Sequence, residues 1–155
     1  RLLKADIGDA YAKAKRNRPP GYMRMARTIQ EFDEDGMELL YELLTPLWGE
    51  HEAGFEWDIE LHETLTSFGW RQVPGIPALY IFNGTDSSAR LIKIVDDILF
   101  CESDTSTPIV NATLKALKDK YEQVTHEADP SAFAGFKITQ SADYSVRKLS
   151  QPQKI

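Results

Sequence analysis

The chain has 155 residues and a formal net charge of −6, and this length suits one domain with a buried core. It contains no apolar run of about 18 residues, which excludes a transmembrane helix, and its start lacks the pattern of a signal peptide. A single cysteine, Cys101, excludes an internal disulfide framework and a thiolate metal cluster. We therefore expect an intracellular protein, cytoplasmic or nuclear.

Charge is distributed unevenly along the chain. Residues 1–27 carry eight Lys or Arg against two Asp, a net charge of +6, whereas residues 31–63 carry twelve Asp or Glu and no Lys or Arg, a net charge of −12. The basic segment is suited to phosphates, and the acidic segment repels them. This distribution argues against a general nucleic-acid-binding domain. The simplest interpretation of the acidic segment is a solvated helix face.

The first part of the chain predicts short elements separated by turns. Residues 2–7 form an apolar run that predicts a strand, and Gly8 follows it. Residues 10–15 are good helix formers and predict one or two helical turns, which the Pro-Pro-Gly sequence at 19–21 ends. Residues 22–27 alternate as a half-buried strand does.

The middle of the chain predicts a turn, an ambiguous segment and a long helix. Residues 33–36 have turn chemistry, and residues 37–47 are apolar enough for either a strand or a helix. From His51 onward, apolar residues recur at helical spacing: Trp57, Leu61, Leu65 and Phe68. Gly69 follows at the place where a helix C-cap is expected.

The next segment predicts strands joined by short turns. Residues 78–82 and 89–95 are two strands in this interpretation, and residues 83–88 between them have turn chemistry. A third strand, 98–102, follows the dipeptide Asp96-Asp97 without a gap. Connections this short indicate antiparallel neighbours.

The last part predicts one helix and two more strands. Residues 107–121 have a helical pattern with Pro108 in the first turn, and four of their side chains point towards the core: Ile109, Leu114, Leu117 and Tyr121. Strands are predicted at 124–125 and 133–139, and residues 141–155 form a polar tail that we expect to be mobile. The whole pattern predicts an α+β fold, with a largely antiparallel sheet and helices packed on one face.

The Asp96-Asp97 dipeptide stands where a two-residue hairpin turn is expected. Such turns favour Asn-Gly or Asp-Gly because they need positive φ, and Asp accepts this conformation less readily than Gly. Adjacent carboxylates also repel each other. A divalent cation would remove this penalty, since Mg²⁺ binds carboxylate oxygens and substrate phosphates. Asp6 would be a third ligand if strand 2–7 lies beside the hairpin. The alternative is an exposed polar turn without a ligand.

Two motifs together resemble those of a known family of polymerases. The sequence KADIGDAY at 4–11, followed by KIVDDILF at 93–100, is similar to the catalytic motifs in the palm domain of copia-type long-terminal-repeat retrotransposon reverse transcriptases, which are RNA-directed DNA polymerases. The resemblance runs from Leu3 to Ile138 through further segments: PPGYM at 19–23, LLTPLWGEHEAGFEW at 43–57, LHETLTSFGW at 61–70, PALYIF at 77–82 and FAGFKI at 133–138.

The resemblance implies a polymerase-type palm over residues 1–140, with partial fingers at about 17–50. It also implies that Asp6, Asp96 and Asp97 are the catalytic residues and hold two Mg²⁺ or Mn²⁺ ions. The reaction would be attack of a primer 3′-OH on the α-phosphate of a dNTP, directed by an RNA or DNA template.

The same resemblance assigns three residues to the incoming nucleotide. Ile7 would contribute its backbone to a metal or a phosphate. The ring of Tyr11 would lie under the sugar and exclude a 2′-hydroxyl, which favours deoxynucleotides. Glu52 stands where the family commonly has a Gln that contacts the nucleotide, and its carboxylate would repel the phosphates.

The chain also departs from the family pattern. His51 stands in place of a common Lys, and we expect no upstream fingers strands, thumb or ribonuclease H segment, so the isolated chain is expected to have weak activity or none. A second hypothesis is therefore a catalytically inactive domain of this type, which serves as a structural or interaction module in a larger assembly. Its protein partner would present a basic surface to residues 31–63. A nucleotide cyclase is a less favoured two-metal palm enzyme, because the Gly-Gly-Asp/Glu-Glu-Phe turn is not in the sequence.

Overall fold

The computed structural model describes residues 1–82 and 89–151. It divides into two compact units: unit 1 comprises Arg1–Ala10 with Leu61–Ile155, and unit 2 comprises Tyr11–Glu60. The turn predicted at 83–88 lies outside the described residues. The α-helices and strands in the described part of the chain are β1 (Leu2–Ile7), α1 (Ala10–Lys13), β2 (Gly21–Met23), β3 (Tyr41–Leu43), α2 (Ala53–Ser67), β4 (Trp70–Val73), β5 (Ile76–Phe82), β6 (Arg90–Ile94), β7 (Asp97–Cys101), α3 (Thr107–Tyr121), β8 (Val124–Ala128), β9 (Ala132–Phe133), β10 (Phe136–Gln140) and β11 (Arg147–Ser150). Residues Arg27–Ile29 form a single turn of 3-10 helix.

A six-stranded sheet forms the centre of unit 1. Its strand order is β4-β5-β6-β7-β1-β8, and all neighbours pair antiparallel. Strands β4 to β7 follow one another in sequence, and β1 lies between β7 and β8. The prediction of an α+β fold with a largely antiparallel sheet is confirmed. This order also brings the start of the chain beside the β6–β7 hairpin.

One face of this sheet is covered by helices. Pleating directs alternate side chains of a strand to the same face, and four such side chains of β1 and β7 are fully buried: Ala5, Ile7, Ile98 and Phe100. Trp70 Nε1 donates a 2.9 Å hydrogen bond to Thr113 Oγ1 on α3, and the hydroxyls of Thr64 on α2 and Tyr121 on α3 lie 2.8 Å apart. These bonds satisfy polar groups that the helices bury against the sheet.

Both long helices lie where the sequence predicts them. α3 covers the predicted 107–121, and its buried residues are Val110, Thr113, Leu114, Leu117 and Tyr121. Ile109, predicted to face the core, is half-buried instead. α2 ends at Ser67, and Gly69 follows with φ of 92°, which is the left-handed conformation expected just past a helix end.

The end of unit 1 differs from its predicted structure. Residues 133–139 are not one strand, because β9 and β10 form a hairpin through Ala134 and Gly135, both with positive φ. The tail predicted to be mobile contains β11, which pairs antiparallel with β10. Hydrophobic alternation did not indicate these strands, since β9 has two residues and all four residues of β11 are exposed. β4 was also not predicted.

The strands of unit 2 are shorter than the apolar patterns suggested. β2 and β3 pair with each other over three residues each, so the predicted strand 22–27 ends at Met23 and the ambiguous segment 37–47 is a strand only at 41–43. The turn predicted at 33–36 is present. The Asp33 carboxylate accepts hydrogen bonds from the backbone N–H groups of Asp35 and Met37. None of the helices within 1–82 and 89–151 is long and apolar enough to cross a bilayer.

Candidate active site

The three predicted carboxylates come from adjacent strands of the unit 1 sheet. Asp6 near the end of β1 and Asp97 at the start of β7 are direct partners in the antiparallel register. Asp96 immediately precedes Asp97, in the turn that joins β6 to β7. Asp6, Asp96 and Asp97 are all partly exposed. The arrangement therefore fulfils the condition that strand 2–7 lies beside the hairpin.

The turn itself differs from the prediction by one residue. Ile94 pairs with Asp97, so the two turn residues are Val95 and Asp96, and Asp97 belongs to β7. Val95 has φ of 55°, a conformation that is unusual for a β-branched residue. The backbone N–H of Ile7 donates to the carbonyl oxygen of Asp96 at 3.1 Å, which fixes the turn against the end of β1. Strain of this kind is common at functional sites.

Burial and mutual repulsion both act on the acids. Partial burial, and then the charges of Asp96 and Asp97, raise the pKa of Asp6 above its ordinary value, while Lys4 acts in the opposite direction. The ammonium nitrogen of Lys4 lies 2.9 Å from Asp97 Oδ1. A hydrogen bond from Lys4 to the Asp97 carboxylate is the largest cause that raises the pKa of Lys4. The site thus combines three acids with the Lys4 ammonium.

The donor atoms suit a hard divalent cation, but they do not form a preassembled cage. In residues 1–82 and 89–151, no three His, Cys, Asp or Glu side chains converge closely enough to hold a metal ion. Asp97 Oδ1 is nevertheless buried, and the Lys4 ammonium lies 2.9 Å from it. A buried carboxylate oxygen in this state fits a cation ligand. Asp6 and Asp96 would supply the other oxygens.

The backbone beside Asp6 is already engaged in part. The side chain of Ile7 is fully buried, and its backbone N–H donates to the Asp96 carbonyl, so one part of the backbone that the resemblance assigns to a metal or phosphate has a partner within the chain. The N–H of Gly8 donates to the carbonyl of Gln123 at 2.8 Å. A Cβ atom at Gly8 would lie 3.2 Å from Gln123 Cβ. This close approach explains the glycine directly after β1.

Tyr11 and Glu52 belong to unit 2. The rings of Tyr11 and Trp48 meet edge-to-face, with centroids 4.9 Å apart and an interplanar angle of 67°, which is a favoured aromatic geometry. Glu52 Oε2 accepts a hydrogen bond from Arg18. The carboxylate expected to repel phosphates is therefore paired within the chain.

Glu52 is one member of an ion-pair network that the sequence analysis missed. Arg16 donates to both oxygens of Glu50 at 2.8 and 2.9 Å, and Arg18 contacts Glu50, Glu52 and Glu56. Glu56 is only 4% exposed. The two segments of opposite charge thus pair with each other through these residues, and the interpretation of 31–63 as a solvated face is wrong for Glu50 and Glu56, whereas Glu52 is exposed. The +6 and −12 segments were the signal that could have indicated it.

The Glu50 carboxylate bonds to the backbone as well as to the arginines of this network. The N–H of Leu47, followed by the Arg16 side chain, lowers the pKa of Glu50 below its ordinary value. Leu47 donates that hydrogen bond at 2.8 Å. The carboxylate therefore connects both arginines to the loop that precedes α2.

Comparison with protein-family models gives no match, and comparison with curated proteins gives no significant match. The assignment of a family accordingly depends on the motifs in the chain and on where its residues lie.

Proposed function

We propose that this chain is the palm of an RNA-directed DNA polymerase, which joins a dNTP to a primer 3′-OH by two-metal nucleotidyl transfer. The observation that carries the proposal is the placement of Asp6, Asp96 and Asp97 at one end of three adjacent strands. The two catalytic motifs are about ninety residues apart in sequence, yet Asp6 and Asp97 are register partners. Local folding does not require acids at either position.

The residues of this site have separable roles in the proposed reaction. Asp6, Asp96 and Asp97 would hold two Mg²⁺ or Mn²⁺ ions. When bound, these ions would stabilise the negative charge on the attacking and leaving oxygens of an in-line displacement. The backbone of Asp96 is held in place, because its carbonyl oxygen accepts a hydrogen bond from the Ile7 N–H. By the resemblance alone, Tyr11 of unit 2 would exclude a ribose 2′-hydroxyl. The primer 3′-OH loses its proton to solvent and its oxygen bonds to the α-phosphorus, while the bond from that phosphorus to the bridging oxygen breaks and releases pyrophosphate.

The proposal is tested by primer extension on a poly(rA) template with an oligo(dT) primer, in Mg²⁺ and then in Mn²⁺. The comparison is between the wild type and the Asp96→Asn/Asp97→Asn double variant. Asp119→Asn is a matched control, since this acid is exposed on α3 and pairs only with Lys115 in the described structure. We expect extension by the wild type and the control, and loss of at least about 10²-fold in the double variant. Equal extension by the double variant would contradict the assignment of the site.

Two contacts favour a second candidate, an inactive domain of the same descent that acts as a structural or interaction module. Lys4 neutralises Asp97, and Arg18 neutralises Glu52, so side chains assigned to metal and nucleotide both have internal partners. In this case the partner would be a protein with a basic surface that faces residues 31–63. Folded wild-type protein that neither extends a primer nor binds Mn²⁺ would favour this candidate.

A further inference from the structure

The described residues place the Lys4 ammonium on a carboxylate of the candidate site. Lys4 precedes Asp6 by two residues on β1, so both side chains lie on the same face of the sheet. Its Nζ lies 2.9 Å from Asp97 Oδ1, with side-chain exposures of 26% and 23%. Asp97 is the register partner of Asp6, which makes Lys4 its diagonal neighbour.

The ammonium and a divalent cation would compete for the same carboxylate. Two cations a few ångströms apart repel strongly where solvent is partly excluded. Lys4 compensates the charge of Asp97 only while no other cation does so. A metal that binds Asp97 therefore requires the ammonium to move.

A second acceptor for Lys4 lies on the other side of β1. Glu127 on β8 is the direct register partner of Lys4, and directly opposed side chains in an antiparallel pair have Cβ atoms about 5 Å apart. Glu127 is exposed, and its charge already contributes to the raised pKa of Lys4. Lys4 can thus exchange one carboxylate for another by rotating its side chain.

We propose that Lys4 is an exchangeable counter-cation, which pairs with Asp97 when no divalent cation is bound and transfers to Glu127 when one binds. Lys4 is then a positioning residue that sets the metal affinity of the site. This inference depends on the metal site of the proposed function. It goes beyond that function because the Lys4 ammonium, and not only the three acids, then determines how tightly the site binds a divalent cation.

The test is a double-mutant cycle with Mn²⁺ affinity as the readout, measured by calorimetry and by the electron paramagnetic resonance signal of free Mn²⁺. The four proteins are the wild type, Lys4→Met, Glu127→Gln and the double variant. Lys115→Met is the matched control for loss of one positive charge, because Lys115 is 76% exposed on α3. Far-UV circular dichroism establishes that each variant is folded.

We expect Lys4→Met to bind Mn²⁺ at least about ten-fold more tightly than the wild type. Glu127→Gln is expected to weaken Mn²⁺ binding several-fold when Lys4 is present. In the Lys4→Met background it should have little effect, because there is no Lys4 ammonium left to pair with Glu127. Lys115→Met is expected to bind like the wild type.

Three results would overturn all or part of the inference, and they differ in what else they reject. Mn²⁺ binding that needs Asp97 but is unchanged or weaker in Lys4→Met would reject the exchange and leave the proposed metal site intact. The absence of Mn²⁺ binding by both the wild type and Lys4→Met would reject the exchange together with the metal site. An equal effect of Glu127→Gln in both backgrounds would reject Glu127 as the second acceptor.

Discussion

Asp6 on β1 and Asp97 on β7 stand directly opposite each other in the antiparallel register. Directly opposed like charges destabilise a sheet, and Lys4 offsets part of this repulsion, chiefly through its 2.9 Å ion pair with Asp97. The protein thus holds two acids together at a cost in stability. Where residues that could bind a metal also destabilise the fold, the loss of stability indicates a functional role for that site.

Asp6→Asn is expected to stabilise the protein at pH 7 in EDTA by about 0.5 kcal/mol, because it removes one of two opposed charges. The pKa of Asp6 is raised in the folded state, so the folded state binds this proton more tightly than the unfolded state. The wild type therefore loses stability as pH rises from the ordinary Asp range through the raised pKa. The advantage of Asp6→Asn should grow over that window and disappear below it.

Urea unfolding at pH 3 and pH 7 measures the stability difference between Asp6→Asn and the wild type at each pH, and so its dependence on pH. Asp104→Asn serves as the control, since the Asp104 side chain is 88% exposed in a pair with Arg1 and should change stability little. A variant less stable than the wild type at pH 7 would show that repulsion is not the dominant effect at Asp6.

Val95 gives a second prediction, because it adopts φ of 55° at the first position of the β6–β7 turn. A Cβ atom in this left-handed region costs about 1–2 kcal/mol. Val95→Gly should therefore be about 1 kcal/mol more stable than Val95→Ala, since Ala keeps the Cβ while both variants lose the branched side chain. Thermal unfolding of the pair measures this difference. Equal stability of the two variants would mean that the turn relaxes to another conformation.

The long helices were predictable because their signals are local. α3 has Pro108 in its first turn and apolar residues at helical spacing, and Trp57, Leu61 and Leu65 of α2 are buried as their spacing predicts. The meeting of Asp6 with the hairpin was predictable only from the two motifs together. β1 enters the sheet between strands that are remote in sequence, and no local pattern determines that order.

The sequence did not reveal which residues form the turn or where the charges pair. Turn chemistry favours Asp over Val at positive φ, and so it placed Asp96 and Asp97 in the turn. The pairing of β6 with β7 overrides this preference and puts Val95 there. The contacts of Arg18 with Glu50 and Glu56 join residues 32 and 38 positions apart. Local sequence patterns cannot indicate a pair that is this far apart in sequence, such as Arg18 with the buried Glu56.

Tyr11 gives a prediction about the sugar of the nucleotide. If its ring excludes a 2′-hydroxyl, Tyr11→Val should incorporate ribonucleotides at least about ten-fold more efficiently relative to deoxynucleotides, because a steric clash against one substrate is removed. Tyr11→Phe retains the ring that packs against Trp48 and should discriminate like the wild type. Primer extension with dTTP and UTP measures the ratio. An unchanged ratio in Tyr11→Val would remove Tyr11 from the nucleotide site.

The Arg18–Glu56 pair gives the largest expected change in stability. Glu56 is 4% exposed and also accepts the N–H of Asn17 at 3.0 Å. Arg18→Met leaves this buried carboxylate without its guanidinium partner, and breaking a buried ion pair from one side costs about 3 kcal/mol. The Arg18→Met/Glu56→Met double variant should recover part of that loss, since no buried charge is then left unpaired.

The control for this pair is Arg24→Met, because the Arg24 side chain is 74% exposed and lies 3.6 Å from Glu38. Its removal should change the free energy of unfolding by less than about 0.5 kcal/mol. Urea unfolding at pH 7 compares the three variants with the wild type. If Arg18→Met is as mild as Arg24→Met, the contacts of Arg18 are solvent-screened and the network does not stabilise unit 2. If the double variant is less stable than Arg18→Met, packing and the Asn17 hydrogen bond, and not the unpaired charge, determine the cost.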